Sequence, residues 1–480
     1  SIAIIPFENK GKDEDSFYAY GISADLIADC SSAGLIRVAS LKDVEKLDYN
    51  NLETAELSEK LLVRYIAQGT LWKMGDMFQL SVELYDTKDK KVVWSDRWQE
   101  KWDNLPSIKG SLSDGLLKAL DKKSKPVMQR GIINTKAYEY YLIGKYKWAT
   151  ISNIEECEIA RGIIRKSIDL DNNLFEAIIL LGRTYCGEMI GNPPCVDIID
   201  YDKAKDIMHQ VLLEAEKTDD ELWMCNSLRN IGNIHSKKGD FEESIIYWRK
   251  SLEIAQKIGN EDSLSGTLFN FGNYYLNLGN YDLSLEYYYK SLKIFEKLHT
   301  PIMLEVCYEC IGRTYLCMGN IDKAEKFAKK SFDYSKAAGN KRTIGHSLYD
   351  IGIVYIHKGN YEQAIKYLEQ SDSVFKNIGL YKNTLESNTM VENITNLFYC
   401  YKQIGNNYDK QEIRKYLRKD NLIEFDLGYQ LYLVLNDTSY LKTAYNQVQE
   451  KADNLEPDVK TKFLSYPIPK AIVGEWEKVK

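Results

Sequence analysis

Residues 268–291 read LFNFGNYYLNLGNYDLSLEYYYKS, and this stretch decides the fold because its pattern returns every 40 residues. Its central pair, Gly279-Asn280, recurs in register as Gly239-Asp240, Gly319-Asn320 and Gly359-Asn360. Seven residues before each pair stands another glycine, namely Gly232, Gly272, Gly312 and Gly352. A fixed period of this length indicates stacked pairs of helices rather than one closed core. The sequence therefore predicts four regular helix pairs, at 221–258, 262–298, 302–338 and 342–378.

The repeated residues have physical roles in such pairs. We expect Gly279 to end the first helix of its pair in the left-handed conformation that glycine adopts freely. Gly272 is expected where the two helices cross most closely, because a side chain there would push them apart. Tyr275 and Tyr288 are expected to fill the space between neighbouring pairs.

This pattern resembles the tetratricopeptide repeat, whose core is a hydrophobic residue, Leu-Gly, Tyr, Gly, an aromatic and small residues at fixed spacing. One copy here reads Leu268, Phe271-Gly272, Tyr275, Gly279, Tyr281, Ser284, Tyr288 and Ser291. The spacing of 40 exceeds the family's usual 34, which implies longer second helices. The resemblance implies a surface that binds peptides or helical segments of partner proteins.

Residues 1–121 lack the repeat and predict an α/β domain with a mixed sheet. Short strand-like runs and amphipathic stretches alternate there in the order β-α-β-α-β-β-β-α. The segments Ile4–Asn9 (IIPFEN), 63–70 (VRYIAQGT) and 79–86 (QLSVELYD) resemble the TolB-like amino-terminal domain. Such domains, followed by tetratricopeptide repeats, commonly form the carboxy-terminal half of bacterial class III nucleotide cyclases and of some transcriptional regulators. The sequence contains no cyclase core, so the resemblance implies the architecture and not the activity.

The domain organisation follows from these patterns. We predict a TolB-like α/β domain at 1–121, a charged linker at 122–133, a repeat solenoid at 134–405 and a helical cap at 406–480. The fold class is thus multidomain, an α/β mixed-sheet domain followed by an all-α tetratricopeptide superhelix.

Composition narrows the classes of function. The net charge of -7 disfavours a direct nucleic-acid binder, which would show a basic face. No apolar run approaches the roughly 18 residues that cross a bilayer, so membrane insertion is not expected. Nine cysteines, an odd number, predict free buried thiols in a reducing cytoplasm. Cys307 and Cys310 form a CxxC without a second pair, which favours repeat packing over a metal site. We expect no cofactor.

The inner wall of a tetratricopeptide array is lined by the first helix of each pair. Asparagine offers a donor and an acceptor to a peptide backbone, arginine and lysine can hold a carboxylate, and phenylalanine gives an apolar contact. The candidate groove residues are Arg229, Asn230, Asn233, Lys237, Phe269, Asn270, Asn273, Asn277 and Arg313. An equally weighted alternative is that the asparagines are consensus residues that satisfy neighbouring helices.

No nucleophile, base or phosphate-binding motif stands out, so the chain is not expected to be an enzyme. The leading hypothesis is a non-catalytic regulatory or scaffold module that binds a peptide or protein segment. One alternative is the sensory half of a bacterial nucleotide cyclase whose catalytic domain lies outside this chain. A third is a homo-oligomerisation module that forms a homodimer.

Overall fold

The computed structural model describes residues 1–32, 38–39, 41–45, 47, 49, 51–61, 63–120, 134–149, 154–185, 200–298, 301–338, 341–377, 387–417 and 423–480. The chain divides into two compact units. The first is Ser1–Thr267 with Ile294–Thr300, and the second is Leu268–Lys293 with Pro301–Lys480. The linker predicted at 122–133 lies outside the described residues.

The first unit begins with a five-stranded mixed sheet. Its strands are β1 (Ile2–Ile4), β2 (Glu8–Asn9), β3 (Tyr65–Met74), β4 (Met77–Asp86) and β5 (Lys91–Lys101). β1 and β2 both pair with β3 in parallel, whereas β3, β4 and β5 form an antiparallel meander. The predicted α/β mixed-sheet domain is therefore confirmed, although β2 was not expected. The second strand of the predicted order falls at 35–39, of which only Val38 and Ala39 are described, and Val38 makes a parallel bridge with Ile2.

Four helices accompany this sheet: α1 (Ser16–Ser32), α2 (Leu41–Glu45), α3 (Thr54–Leu61) and α4 (Leu105–Ala119). The short α2 was not predicted. Leu26 of α1, Phe78 of β4 and Leu112 of α4 are fully buried in one cluster. This burial of alternate strand residues against helical stripes is what the sequence pattern requires.

The rest of the first unit is helical. It contains α5 (Thr135–Ala149), α6 (Ile154–Leu170), α7 (Phe175–Tyr185), α8 (Tyr201–Lys217), α9 (Glu221–Lys238) and α10 (Phe241–Ile258), and it includes the start of α11 (Glu261–Leu278). The bounds of α9 and α10 agree closely with the first predicted pair, at 221–258.

A buried carboxylate joins α1 to α5. Asp25 is 2% exposed and accepts hydrogen bonds from the hydroxyl groups of Tyr138 (2.5 Å) and Tyr141 (2.9 Å). Lys145 Nζ lies 2.5 Å from the same carboxylate. The charge is thus both paired and hydrogen-bonded, the condition under which a buried carboxylate is tolerated.

The second unit holds most of the repeat. Its helices are most of α11 and of α12 (Tyr281–Leu298), then α13 (Pro301–Cys317), α14 (Ile321–Ala338), α15 (Lys341–His357), α16 (Tyr361–Asn377) and α17 (Ser387–Gln403). Five further helices follow: α18 (Lys410–Tyr416), α19 (Phe425–Leu435), α20 (Thr438–Asp453), α21 (Pro457–Ser465) and α22 (Pro467–Val479). An all-helical repeat array therefore follows the α/β domain, as predicted.

The glycine positions act as the sequence indicated. A Cβ on Gly272 would lie 2.4 Å from the ring of Tyr288, so α11 and α12 need a glycine at their crossing. Gly279 has φ +90 and ends α11 in the left-handed region. The small residues of the second helices also donate hydrogen bonds. Ser331 Oγ bonds to the carbonyl of Glu305 at 2.9 Å and Ser371 Oγ to that of Gly345 at 2.8 Å.

The cysteines differ in part from expectation. Cys157 is disulfide-bonded, so the prediction of free thiols is wrong for this residue. Free thiols are found at Cys30, Cys225, Cys307, Cys310, Cys317 and Cys400. Among the described residues, no helix is long and apolar enough to span a membrane.

Candidate functional site

The candidate residues of the first unit lie on α9. Asn233 Oδ1 accepts a hydrogen bond from Trp248 Nε1 on α10 at 2.9 Å. Asn230 Nδ2 faces Met208 Sδ at 3.9 Å, and Arg229 Nη2 reaches Asn226 at 3.4 Å. Lys237 is exposed near the end of the helix. Asn233 thus uses its amide oxygen to hold the second helix of its own pair.

The candidates on α11 belong to the second unit and show the same use of asparagine. Asn273 Oδ1 accepts a hydrogen bond from the hydroxyl of the fully buried Tyr288 at 2.6 Å. The ring of Phe269 packs on Tyr288 with centroids 5.4 Å apart. Asn270 is half-buried and Asn277 is exposed. Asn233 and Asn273, which occupy the same position of the repeat, therefore both help to hold the two helices of their pair together.

Arg313 on α13 lies among carboxylates. Its Nη2 is 3.1 Å from Oε1 of Glu309, one turn earlier, and 3.8 Å from Oδ1 of Asp350 on α15. The Arg313 side chain is 44% exposed, whereas Asp350 is only 6% exposed. Oδ2 of Asp350 is buried and has no hydrogen-bond partner in the part of the chain that the structure describes.

Two further carboxylates complete this group. Glu392 on α17 interacts electrostatically with Arg313, Asp350 and Asp426. Asp426 lies at the start of α19. We call Glu309, Arg313, Asp350, Glu392 and Asp426 the charged inner cluster; its members come from α13, α15, α17 and α19.

Poor solvation dominates the electrostatics of this cluster. Burial raises the pKa of Asp350 to about 7, although Arg313 acts in the opposite direction. Burial, reinforced by Asp426, also raises the pKa of Glu392 to about 7. The pKa of Asp426 is raised for the same reason. Because the Asp426 and Arg313 side chains keep contact with solvent, water screens them more than it screens Asp350.

Three neighbours of the cluster, His346, Cys310 and Tyr349, are uncharged near neutral pH. Burial lowers the pKa of His346 to about 4, and its ring packs edge-on against Phe375 at 5.0 Å. Burial raises the pKa of Cys310 to about 12, and its Sγ lies 3.9 Å from Asn273 Oδ1. Tyr349 accepts a hydrogen bond from Asn396 Nδ2 at 3.2 Å. Cys310 is therefore a packed thiol, consistent with the repeat-packing interpretation of the CxxC.

The carboxy-terminal helices pack on two turns of the repeat. Phe463 of α21 is fully buried, and a Cβ on Gly279 would lie 2.8 Å from its ring. Pro467 of α22 covers Gly319 in the same way at 2.6 Å. The ring of Tyr281 also packs on Phe463, with centroids 6.3 Å apart. These helices thus cover turns in the middle of the repeat as well as following its last helix.

Of the five residues of the cluster, the sequence indicates only Arg313 as a candidate and does not indicate the four carboxylates. Arg313 was placed on the inner wall, and Glu309 and Asp350 occupy registers that the repeat also assigns there. Glu392 and Asp426 follow the last regular pair, where the period of 40 gives no register.

Three segments of the chain match two family models. Residues 223–297 and 304–376 match the tetratricopeptide repeat. Residues 1–114 match the second domain of HilA/YgeH-like transcriptional regulators. The chain thus joins a region similar to a regulator domain to tetratricopeptide repeats, while the TolB-like resemblance and the cyclase context stay predictions. Comparison with curated protein sequences gives no significant match.

Several solved structures resemble the chain. A Signal Transduction ATPase with Numerous Domains protein with a tetratricopeptide repeat sensor, from Pyrococcus horikoshii, has TM-score 0.46 and 14% identity over 96% of this chain and 65% of its own. A Rap protein complexed with Competence and Sporulation Factor has TM-score 0.45 and 15% identity over 72% and 98%. Aspartyl phosphate phosphatase F from Bacillus subtilis has TM-score 0.42 and 15% identity over 74% and 95%.

Proposed function

We propose that this chain is a non-catalytic regulatory scaffold that binds a peptide or protein segment along the first helices of its repeats. Both family matches support this proposal, since one is a repeat used for protein binding and the other a domain of transcriptional regulators. The bound partner would be positioned for an effector domain. A cytoplasmic location remains part of this proposal.

The observation that carries the proposal is the charged inner cluster. Burying a carboxylate costs several kcal/mol unless it is paired and hydrogen-bonded, so packing alone would favour apolar residues at these positions. Asp350 is nevertheless buried with one oxygen unpartnered among the described residues. Groups with strongly shifted pKa values concentrate at functional sites. The surface of the second unit that carries the charged inner cluster is therefore the best-supported binding surface, and we call it the inner face.

The nine residues chosen from the sequence remain part of this proposal with unequal weight. Asn233 and Asn273 already hold Trp248 and Tyr288, so replacing either would disturb the repeat itself. Arg313 is a better probe, because its side chain is 44% exposed and its polar contacts are with Glu309 and Asp350 on first helices. The half-buried Asn270 is tested together with it. The remaining candidates are Arg229, Asn230, Lys237, Phe269 and Asn277.

The test is capture of partners by the immobilised chain from an extract of its own cells, with the captured proteins identified by mass spectrometry. The variant Asn270→Ala/Arg313→Ala should change which partners are captured and in what amount. The matched control Lys293→Ala/Gln370→Ala, which changes two exposed residues on second helices, should capture the same partners as the parent chain. Circular dichroism should show the same helicity for both variants. Equal capture by the two variants would reject the inner-face site.

The two other hypotheses remain predictions with direct tests. The gene region upstream of this segment either encodes a cyclase catalytic domain or does not. Light scattering on the purified chain measures its mass and so tests a homodimer.

A further inference from the structure

We propose that the inner face of the second unit recognises a positively charged group of its ligand, with Asp350 as the principal acceptor. The chemical class is a lysine or arginine side chain of a bound peptide. This inference rests on the proposed function and adds the charge of the ligand to it.

The balance of charge at this face favours a cation. The carboxylates of Glu309, Asp350, Glu392 and Asp426 come from four helices that pack in sequence in the second unit. Two guanidinium groups oppose them, Arg313 and the exposed Arg342, whose charge acts on Glu309. Four carboxylates against two guanidinium groups leave two negative charges in excess at full ionisation. The amine of Lys451 on α20 lies 3.5 Å from Glu424, which also faces the cluster, so this pair leaves the balance unchanged.

Asp350 has unused capacity to accept hydrogen bonds. Its nearest cation, Arg313, stands 3.8 Å from Oδ1, which is beyond hydrogen-bond distance. Its other oxygen, Oδ2, has no hydrogen-bond partner among the described residues. A carboxylate buried in this state is costly, and an incoming ammonium or guanidinium group would satisfy it directly. The partly exposed Arg313 side chain is the group that such a ligand would displace.

A ligand carboxylate fits this face poorly. The sequence suggested that Arg313 would bind one, but Arg313 already contacts Glu309 and faces Asp350. A third carboxylate at that position would meet the repulsion of Glu392, whose pKa is raised by burial, and of the more exposed Asp426. Like charges in such surroundings cost more than they do in water. The placement of Arg313 therefore points to the opposite polarity of ligand.

The protonation of the cluster supports the same conclusion. The pKa values of Asp350 and Glu392 are about 7, so each holds a proton part of the time near neutral pH. A bound cation favours the ionised carboxylate and expels that proton. Affinity for a permanently charged ligand should thus rise from pH 6 to pH 8. His346 and Cys310, with pKa values of about 4 and about 12, do not change charge in this range.

The experiment uses an equimolar library of random nonapeptides with blocked termini, offered to the immobilised full chain at pH 8. Captured peptides are sequenced, and one basic peptide is then titrated by fluorescence anisotropy. We expect lysine and arginine to be enriched at one position. The variant Asp350→Asn/Glu392→Gln, which conserves shape and removes charge, should bind that peptide about tenfold or more weakly. The control Glu362→Gln, an exposed residue on α16, should bind it as the parent does.

The outcomes separate this inference from the function on which it rests. Captured peptides that lack basic enrichment, or are enriched in Asp and Glu, would overturn the charge assignment while leaving a peptide-binding scaffold. Capture of no peptide would remove both. If the double variant loses helicity, the affinity of the parent chain for the basic peptide, measured between pH 6 and pH 8, tests the proposal instead. An affinity that is flat or falls over this range would contradict it.

Discussion

The first helices of successive pairs use one repeat position in two different ways. Asn233 and Asn273, 40 residues apart, each accept a hydrogen bond from an aromatic residue fifteen positions later, Trp248 and Tyr288. In the next pair the corresponding residues are Arg313 and Ala328. Ala328 is buried and has no donor to offer, and Arg313 contacts Glu309 and faces Asp350 instead.

This difference shows that the repeat determines the position of a side chain but not the contacts that it makes. Where the second helix supplies an aromatic donor, the first-helix residue is committed to packing. Where the second helix supplies only the methyl group of Ala328, the same position can hold a charged residue, and Arg313 there lies beside the carboxylates of the charged inner cluster. The committed positions should therefore govern stability and the charged one binding, and four predictions test this division.

The largest effect is expected at Trp248, which is 2% exposed and packs over Gly232. Trp248→Ala should lower the free energy of unfolding by about 3–5 kcal/mol, because a large cavity forms and Asn233 loses its donor. Urea denaturation followed by circular dichroism measures this loss. Ile246→Ala, on the same helix and 47% exposed, should change stability by less than about 0.5 kcal/mol. Similar losses in the two variants would contradict the packing role.

A second test compares two turns of the repeat. Gly279 (φ +90) lies under the ring of Phe463, whereas Gly359 (φ +72) has open space where a Cβ would stand. Gly359→Ala should cost about 1 kcal/mol from backbone strain alone, and Gly279→Ala about 2–3 kcal/mol because the methyl group also meets the ring. Denaturant titration of both variants measures the difference. Equal losses of unfolding free energy in the two variants would show that α21 shifts to accommodate the methyl group without strain.

The third prediction concerns pH. Asp350 and Glu392 have folded-state pKa values raised above their ordinary values of 3.8 and 4.5 to about 7. The folded chain therefore holds protons that the unfolded chain has lost, so these groups stabilise it fully below pH 4, and that stability is lost as pH rises toward 7. Asp350→Asn/Glu392→Gln should flatten this part of the stability profile by on the order of 2 kcal/mol.

The measurement is the difference in unfolding free energy between parent and variant at pH 4.5 and pH 7.5. Taking the difference removes carboxylates with the opposite behaviour, such as Asp86, whose pKa is lowered by its hydrogen bond with Arg64. The charged groups that act on the two substituted carboxylates remain in both proteins; they are Glu309, Arg313, Glu424 and Asp426. A difference that does not vary with pH would contradict the shifted pKa values.

The smallest effect is expected at Asn273. Asn273→Ala leaves the hydroxyl of Tyr288 without this acceptor and should cost about 1 kcal/mol. Asn277→Ala, on the same helix at an exposed position, should be nearly neutral. If Asn273→Ala is also neutral in denaturant titration but weakens partner capture, this asparagine has a binding role and the division between the two kinds of position fails.

The sequence predicts the fold far better than the site. A period of 40 residues places each glycine and each helix of the regular pairs, because the same crossing and turn must be built each time. The strands β3, β4 and β5 also follow from their alternation. By contrast, β2 and α2 are too short to leave a periodic signal.

The site escapes prediction because it depends on contacts between pairs. Arg313 is visible as an inner residue, but its nearness to Asp350 requires the stacking of α13 on α15. Glu392 and Asp426 stand beyond the last regular pair, where no register tells which side chains face inward. Their shifted pKa values arise from surroundings that no local pattern of residues encodes.

The bond network around Asp25 constrains how this chain can be divided. Three residues that bond to it, Tyr138, Tyr141 and Lys145, lie beyond the segment that the sequence suggests as a linker. A fragment that ended at that segment would leave a carboxylate on α1 facing water across an exposed apolar surface. The smallest fragment that keeps the amino-terminal domain intact therefore includes α5. A gene fusion that carried the sheet without this helix would encode an incomplete fold.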